Sequence, residues 1–252
     1  MTPALELEGA SVRRGPRRVL EAATLSALPG EVLGVIGANG AGKTTLLRAA
    51  LGLAHLEAGS ARLGGRDVHG MADTVRAALV AYLPQERRVG WNLPAWRVAS
   101  LGAFHRPPAE AKSRAHAALT RVGLGDLADR GVLDMSGGER GRALLARLLA
   151  AAAPLLVADE PAAGLDPDAQ LLALELFREE ARRGAAVVLT LHDLSLAART
   201  CDRLAVLHEG RIIADAPPRE ALTPTVLAQA FALDGRVEET ANGPIVSARR
   251  RA

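Results

Sequence analysis

A lysine and two threonines close a glycine-rich stretch, Gly37-Ala38-Asn39-Gly40-Ala41-Gly42-Lys43-Thr44-Thr45. Glycines let the backbone turn tightly and aim successive N–H groups at one anion. A helix opening at the end of such a loop adds the partial positive charge of its N-terminus. An apolar run, Glu31 to Ile36, precedes the loop, and helical spacing, Thr44 to Leu53, follows it. That strand–loop–helix context is the one a phosphate cradle requires. In it Lys43 is expected to meet the β- and γ-phosphates of a nucleoside triphosphate, Thr44 to offer its hydroxyl to Mg2+, and Thr45 to bind the α-phosphate. The plainer alternative is a strand-to-helix turn with no ligand, and the Lys-Thr pair in this context argues against it.

A second set of residues has types suited to hydrolysis. The apolar run Leu155 to Ala158 ends in Asp159-Glu160, on a strand expected to lie beside the loop strand. Asp159 can hold Mg2+ through water, and Glu160 can polarise an attacking water as general base. His192, in Thr190-Leu191-His192-Asp193, follows what reads as the last apolar core strand. The C-terminal ends of strands in open α/β sheets surround the ligand, so His192 is placed to touch the γ-phosphate and position the water. Gln85, after Tyr82-Leu83-Pro84, carries an amide that can meet Mg2+ or water. At Ser136-Gly137-Gly138 the chain enters another long helix, which makes a second anion site or a simple serine cap. One chain cannot easily fold both cradles onto one nucleotide, whereas a head-to-tail pair of chains can.

The elements that must carry these residues are legible from spacing. Leu5 to Ser11 alternates like a half-exposed strand, with further short strands at Val19-Leu20 and Thr24 to Leu28. Leu79 to Leu83, Leu155 to Ala158 and Ala186 to Leu191 read as buried strands. Residues 86–153 change texture and are largely helical, with helices over Ala109 to Val122 and Gly138 to Ala152. Leu204 to Leu207 and Arg211 to Ala214 read as a terminal hairpin, and Ala248 to Ala252 as a frayed tail. The fold class is α/β, a mainly parallel sheet with a helical insert. The organisation expected is one domain over residues 1–252: core 1–85 and 154–235, insert 86–153, tail 236–252.

Composition narrows the functional classes. The 252 residues are 49% hydrophobic but only 2% aromatic, so Ala, Leu and Val must fill the core. A net charge of +3 with scattered arginines and few aromatics does not resemble a nucleic-acid-binding face, so no nucleic acid is expected. Of 31 Lys and Arg residues only Lys43 and Lys112 are lysines. The surviving Lys43 sits where a compact ammonium fits among phosphates better than a planar guanidinium. The one cysteine, Cys201, excludes an internal disulfide and fits a reducing compartment. No signal peptide is read, and no apolar run reaches the length of a membrane span.

Taken in order, these pieces resemble the ATP-binding subunit of ABC transporters over roughly Leu5 to Gly235. The Walker A motif is Gly37–Thr45, the Q-loop Gln85, the signature Ser136–Glu139, Walker B Leu155–Glu160, the D-loop Gly164-Leu165-Asp166, and the switch histidine His192. The resemblance implies a P-loop NTPase core with an N-terminal antiparallel β subdomain and an inserted helical subdomain. It implies a homodimer that binds ATP and Mg2+ and hydrolyses ATP. Ser136 and Gly138 would contact the γ-phosphate held by the other subunit's Lys43, with Gly137 between them, and Asp166 would communicate between the sites. Four positions depart from the family pattern. Arginines stand at Arg13-Arg14, where an aromatic commonly stacks on adenine. Met135 replaces a leucine, and Gly141 replaces a polar helix residue at about 1 kcal/mol of helix propensity. Ala162-Ala163 replaces a hydroxyl-bearing residue.

In this family one nucleotide domain without spans usually serves an importer, whose membrane permease subunits are separate chains and which works with a solute-binding protein. The stretch Trp96 to His105 resembles importers of iron–siderophore, haem or cobalamin type. The implied location is peripheral, on the cytoplasmic face of the cell membrane. An exporter ATPase would carry the same motifs. A soluble ABC protein would more often show tandem cassettes, a coiled-coil insertion or zinc-ligand cysteines, none of which occurs here.

Overall fold

Short runs of Val, Leu, Ile and Ala without polar interruption suit strands buried on both faces, and the computed structural model places them in one central sheet. It describes residues 2–86 and 89–251. The chain begins with β1 (Leu5–Arg14), β2 (Arg17–Ala27) and β3 (Val32–Ile36), followed by α1 (Lys43–Ala50). Next come β4 (Ala58–Leu63), β5 (Arg66–Asp67), α2 (Asp73–Leu79) and β6 (Val80–Leu83). Three helices follow, α3 (Ala95–Ser100), α4 (Pro108–Arg121) and α5 (Gly137–Ala150). Then β7 (Leu155–Asp159), α6 (Pro167–Arg182), β8 (Ala186–Thr190) and α7 (Leu194–Thr200) alternate. The chain ends in β9 (Arg203–His208), β10 (Arg211–Ala216), α8 (Pro218–Ala221), α9 (Pro224–Phe231), β11 (Leu233–Thr240) and β12 (Gly243–Arg250).

The central sheet runs β10-β9-β3-β8-β7-β6, parallel throughout except for β10. Every residue of β3, β7 and β8 is buried. Because side chains alternate across a strand, one set faces each side. Leu33, Val35, Val157, Val188 and Leu207 pack with α1 and the antiparallel sheet β2-β1-β4-β5. Ile36, Leu156, Leu189 and Val206 pack with α5, α6 and α7. Phe177 of α6, the bulkiest fully buried side chain, fills this second core; truncating such a ring to alanine costs about 3–5 kcal/mol. The insert is tied back to the core where Arg121 of α4 lies 2.7 Å from Glu180 and 3.0 Å from Glu179 of α6.

Three expectations are corrected. The strand ending in Asp159-Glu160 is not beside the loop strand β3, because β8 lies between them. β8 is not the last core strand, since β9 returns to pair in parallel with β3 on its other side. The chain end is not frayed as far as Arg250: β12 pairs with β11 over its whole length and docks on α7, where the Val246 amide donates to Ser195 Oγ at 2.9 Å. Ala252 lies outside the described residues. Gly141 does not interrupt α5, which runs through it with Gly141 buried.

Candidate nucleotide site

β3 delivers the chain into the glycine loop, and two glycines there have steric reasons. A Cβ on Gly37 would stand 2.2 Å from the Leu207 carbonyl oxygen. Gly42 is the N-cap of α1 at φ +110°, a conformation side chains rarely adopt, and offers no side-chain cap. The first-turn N–H groups of α1 are therefore left for an anion. Lys43 is buried, and its Nζ donates to Gly37 O at 2.8 Å and Ala38 O at 3.3 Å. Burial holds its pKa below the ordinary lysine value, while the charges of Glu160 and Asp159 oppose that shift.

A cavity of about 640 Å³ opens over this loop. Asn39, Gly40, Gly42, Lys43, Thr44 and Thr45 form its floor. Gln85, from just beyond β6, and Glu160 and His192, from just beyond β7 and β8, also line it. The remaining wall is Arg14, Arg17 and Val19 of the first hairpin. A larger hollow of about 940 Å³ lies between α9 and the C-terminal hairpin. None of the residues singled out for chemistry lines it, so it is the residues and not the volume that identify the site.

The carboxylates are organised by a residue that sequence reasoning passed over. Thr190, at the end of β8, is fully buried and sits opposite Asp159 in the ladder. Its Oγ1 donates to Asp159 Oδ1 at 2.6 Å and accepts the Glu160 amide at 2.7 Å. The signal was available: Thr190 is the one polar residue in Ala186–Thr190. Asp159 Oδ2 is buried with no partner among the described residues. Glu160 has φ +52°, a strained backbone for a non-glycine residue. Its Oε1 lies 2.6 Å from His192 Nε2.

The spare Asp159 oxygen fits a hard divalent cation, which takes oxygen ligands and keeps waters. Thr44 and Gln85 would complete an all-oxygen set. Among the described residues no cluster of three or more His, Cys, Asp or Glu is placed to hold a metal, so the ligands would include these neutral oxygens.

Gly37, Ser136, Gly137, Gly138, Asp159 and Asp166 are not among the residues that line the cavity. Ser136 caps α5 in a reciprocal box: its Oγ accepts the Glu139 amide at 3.2 Å and its own amide donates to Glu139 Oε2 at 2.8 Å. Those bonds hold the Glu139 carboxyl below its ordinary pKa. Ser136 and Gly137 are exposed. Asp166 caps α6, accepting the Ala169 amide at 2.9 Å. Arg13, grouped with Arg14 by sequence, turns away from the cavity to Glu57 at 2.8 Å.

Residues 20–163 match the family model described as ABC transporter. The chain belongs to the ABC transporter family. A hemin import ATP-binding protein, HmuV of Pseudomonas entomophila, is 42% identical over 93% of this chain and 94% of its own length. A cobalamin import ATP-binding protein, BtuD of Halobacterium salinarum, is 40% identical over 92% of this chain, which spans 59% of that longer relative. A solved ATP-binding subunit of an ABC transporter superposes with a TM-score of 0.78 at 29% identity, covering 85% of this chain and 90% of the other. This ABC ATPase is thus an α/β ATP-binding domain in which the glycine loop from Asn39 to Thr45, Glu160 and His192 line one cavity, while Asp159 is buried behind it and the signature segment lies outside its lining.

Proposed function

We propose that this chain works as one of two identical ATP-hydrolysing subunits that close head-to-tail around two ATP molecules to drive import. The observation that supports the pairing is the division of parts. Lys43, Thr44, Glu160 and His192 share a cavity, while Ser136 and Gly137 are exposed and stand outside it. A second copy would bring Ser136, Gly137 and Gly138 to the γ-phosphate over Lys43, and Asp166 would couple the two sites.

Each residue then has a role that its chemistry supports. The loop amides and Lys43 bind the phosphates, and the compact ammonium is already confined by the loop carbonyls. Glu160 takes the proton of the attacking water. His192 fixes the Glu160 carboxylate and the water, and donors fixed in advance cost no reorganisation during reaction. Thr44, Asp159 and Gln85 would hold Mg2+, which supplies positive charge against the phosphate oxygens when bound. Thr190 holds the backbone and carboxylate of the two acidic residues in register.

The cargo reading, an iron–siderophore, haem or cobalamin-type solute, takes its support from the importer names of the relatives at 42% and 40% identity. Among the described residues no helix is long and apolar enough to cross a membrane. In this reading the membrane path belongs to separate permease subunits, with a solute-binding protein completing the system, as the import names of the relatives suggest. Trp91, Leu101 and Phe104 are exposed in the helical insert near Gln85 in sequence, a suitable grip for a permease's cytoplasmic helix. The working subunit would then sit at the cytoplasmic face of the cell membrane, as one domain with the insert at about residues 86–153. Recovery of the tagged chain from native membranes in mild detergent tests this. A many-span permease with a solute-binding protein encoded beside it is expected. A permease lacking any binding protein would make the system an exporter, and no membrane partner would contradict the transport role.

A further inference from the structure

The hollow of about 940 Å³ between α9 and the C-terminal hairpin has two unlike walls. Pro224 and Ala228, and Thr225 and Gln229, are spaced four apart and so share one face of α9, giving a wall of mixed apolar and neutral polar atoms. The hairpin supplies the other wall, with Arg249, Arg250 and Arg251 against one carboxylate, Asp234. Arg249 is matched, lying 2.8 Å from Asp234, its partner across the ladder. Arg250 and Arg251 have no carboxylate partner among the described residues. The backbone holds them in place: β12 pairs with β11 as far as Arg250, and the Arg251 amide donates to the Ala232 carbonyl at 3.0 Å, just past α9. A neighbouring hollow of about 480 Å³ differs, because there Arg236 lies 2.9 Å from Glu238 and Arg249 meets Asp234. Positive charge is left over in the larger hollow and not in the smaller.

A guanidinium is a fork of donors that meets a carboxylate or phosphate with two parallel hydrogen bonds. Two such forks side by side call for more than one anionic group. A bare inorganic ion would leave most of the hollow empty, whereas a hollow of this size holds a whole organic molecule. The apolar atoms of Pro224, Ala228 and Leu233 give its carbon framework a surface to cover. We infer that this hollow is an effector site for a soluble organic polyanion, a compact carbon framework bearing two or more carboxylates or phosphates, and that its occupancy reaches His192. The link is contiguous. β12, which carries the arginines, packs on α7: the Val246 amide donates to Ser195 Oγ at 2.9 Å, and a Cβ on Gly243 would stand 3.2 Å from Arg199 Cγ. α7 starts just after His192, and Asp193 caps it by accepting the Leu196 amide at 2.8 Å. A ligand that ties the arginines to α9 therefore acts on the helix that anchors His192. The site itself is independent of the proposed ATP site; the coupling rests on the role proposed there for His192.

Trimesate, the symmetric benzene tricarboxylate, is the probe, being rigid, flat and polyanionic. Calorimetric titration into the full chain, with the glycine loop filled by Mg2+ and a non-hydrolysable ATP analogue, should show saturable binding. The double variant Arg250→Ala, Arg251→Ala should weaken it roughly tenfold or more, the scale of one lost charge-assisted hydrogen bond. That variant should melt with the parent, because both side chains are exposed. Saturating trimesate should shift kcat for ATP about fivefold, the lower end of coupling between sites. Ser195→Ala removes the acceptor of the Val246 amide, so it should bind trimesate as the parent does and lose that shift. No binding of trimesate, or equal binding by the parent and the double variant, would overturn the site. An unchanged kcat in a saturated parent would overturn the coupling. Sedimentation with phosphatidylglycerol vesicles that is lost in the double variant, without trimesate binding, would make the arginines a lipid contact and also overturn the inference. A parent without ATPase activity that still binds trimesate through these arginines would remove the proposed function and leave the site standing.

Discussion

Thr190 and Asp159 face each other across β8 and β7 at the point where both strands end, and the threonine hydroxyl donates to the carboxylate at 2.6 Å. The same oxygen accepts the Glu160 amide at 2.7 Å. One hydroxyl thus holds both the Asp159 carboxylate, with its spare oxygen, and the backbone of Glu160, the proposed base. Thr190→Val keeps the shape but leaves Asp159 Oδ1 and the Glu160 N–H without that partner. The expected loss is about 1–3 kcal/mol of stability, the cost of unsatisfied buried polar groups. kcat should fall more than KM for ATP changes, since the glycine loop proposed to bind phosphate is untouched. Thr190→Ser, which retains the hydroxyl, should recover most of both. Denaturant unfolding with steady-state kinetics checks this, and a valine variant equal to the parent would mean the bridge is idle.

Glu160→Gln keeps a hydrogen-bonding oxygen within reach of His192 but cannot take a proton. ATP binding should persist while turnover drops by roughly 10²- to 10⁴-fold, the usual worth of a general base. Binding and single-turnover hydrolysis separate the two effects. Hydrolysis at the parent rate would assign the base elsewhere.

Cys201 offers a pH test. Burial, aided by the charge of Asp202 and opposed by Arg178, pushes its thiol up to about 12. In the unfolded chain the thiol ionises near an ordinary value of about 8.5. The folded pKa is the higher one, so its stabilising contribution is fully present below about pH 8.5. Above that the unfolded state loses its proton first, and stability declines as pH rises toward the folded value. Urea unfolding at pH 8 and pH 10 should show a loss that Cys201→Ala lacks. Iodoacetamide should label the native chain only as fast as it unfolds, and rapid native labelling would contradict the buried thiol.

Much of the site was legible because its chemistry is local in sequence. The loop from Gly37 to Thr45 fixes its own geometry through glycines and a helix start, and Asp159-Glu160 and His192 follow recognisable strand ends. What was not legible is the order of strands. Adjacency in a parallel sheet is set by crossover connections, so nothing in Leu155–Asp159 announces that β8 separates it from β3. Thr190 stands out in sequence as the one polar residue of Ala186–Thr190, but which groups it bridges appears only once β8 is known to lie beside β7. The C-terminal hairpin was missed because Arg249 and Arg250 read as a solvated tail. Its stabilising contacts, among them Val246 against Ser195, are long-range.

The composite site is the central claim, and mixing two inactive variants tests it most directly. Lys43→Ala removes the phosphate lysine, and Ser136→Arg blocks the exposed signature segment, so each alone should hydrolyse no ATP. In a mixed dimer, the Lys43 of one chain and the Ser136 of the other would form one intact site. ATPase activity and ATP-dependent dimers should therefore reappear on mixing. A mixture that remains inactive and monomeric with ATP, although Ser136→Arg alone still binds ATP, would contradict a site shared between two copies.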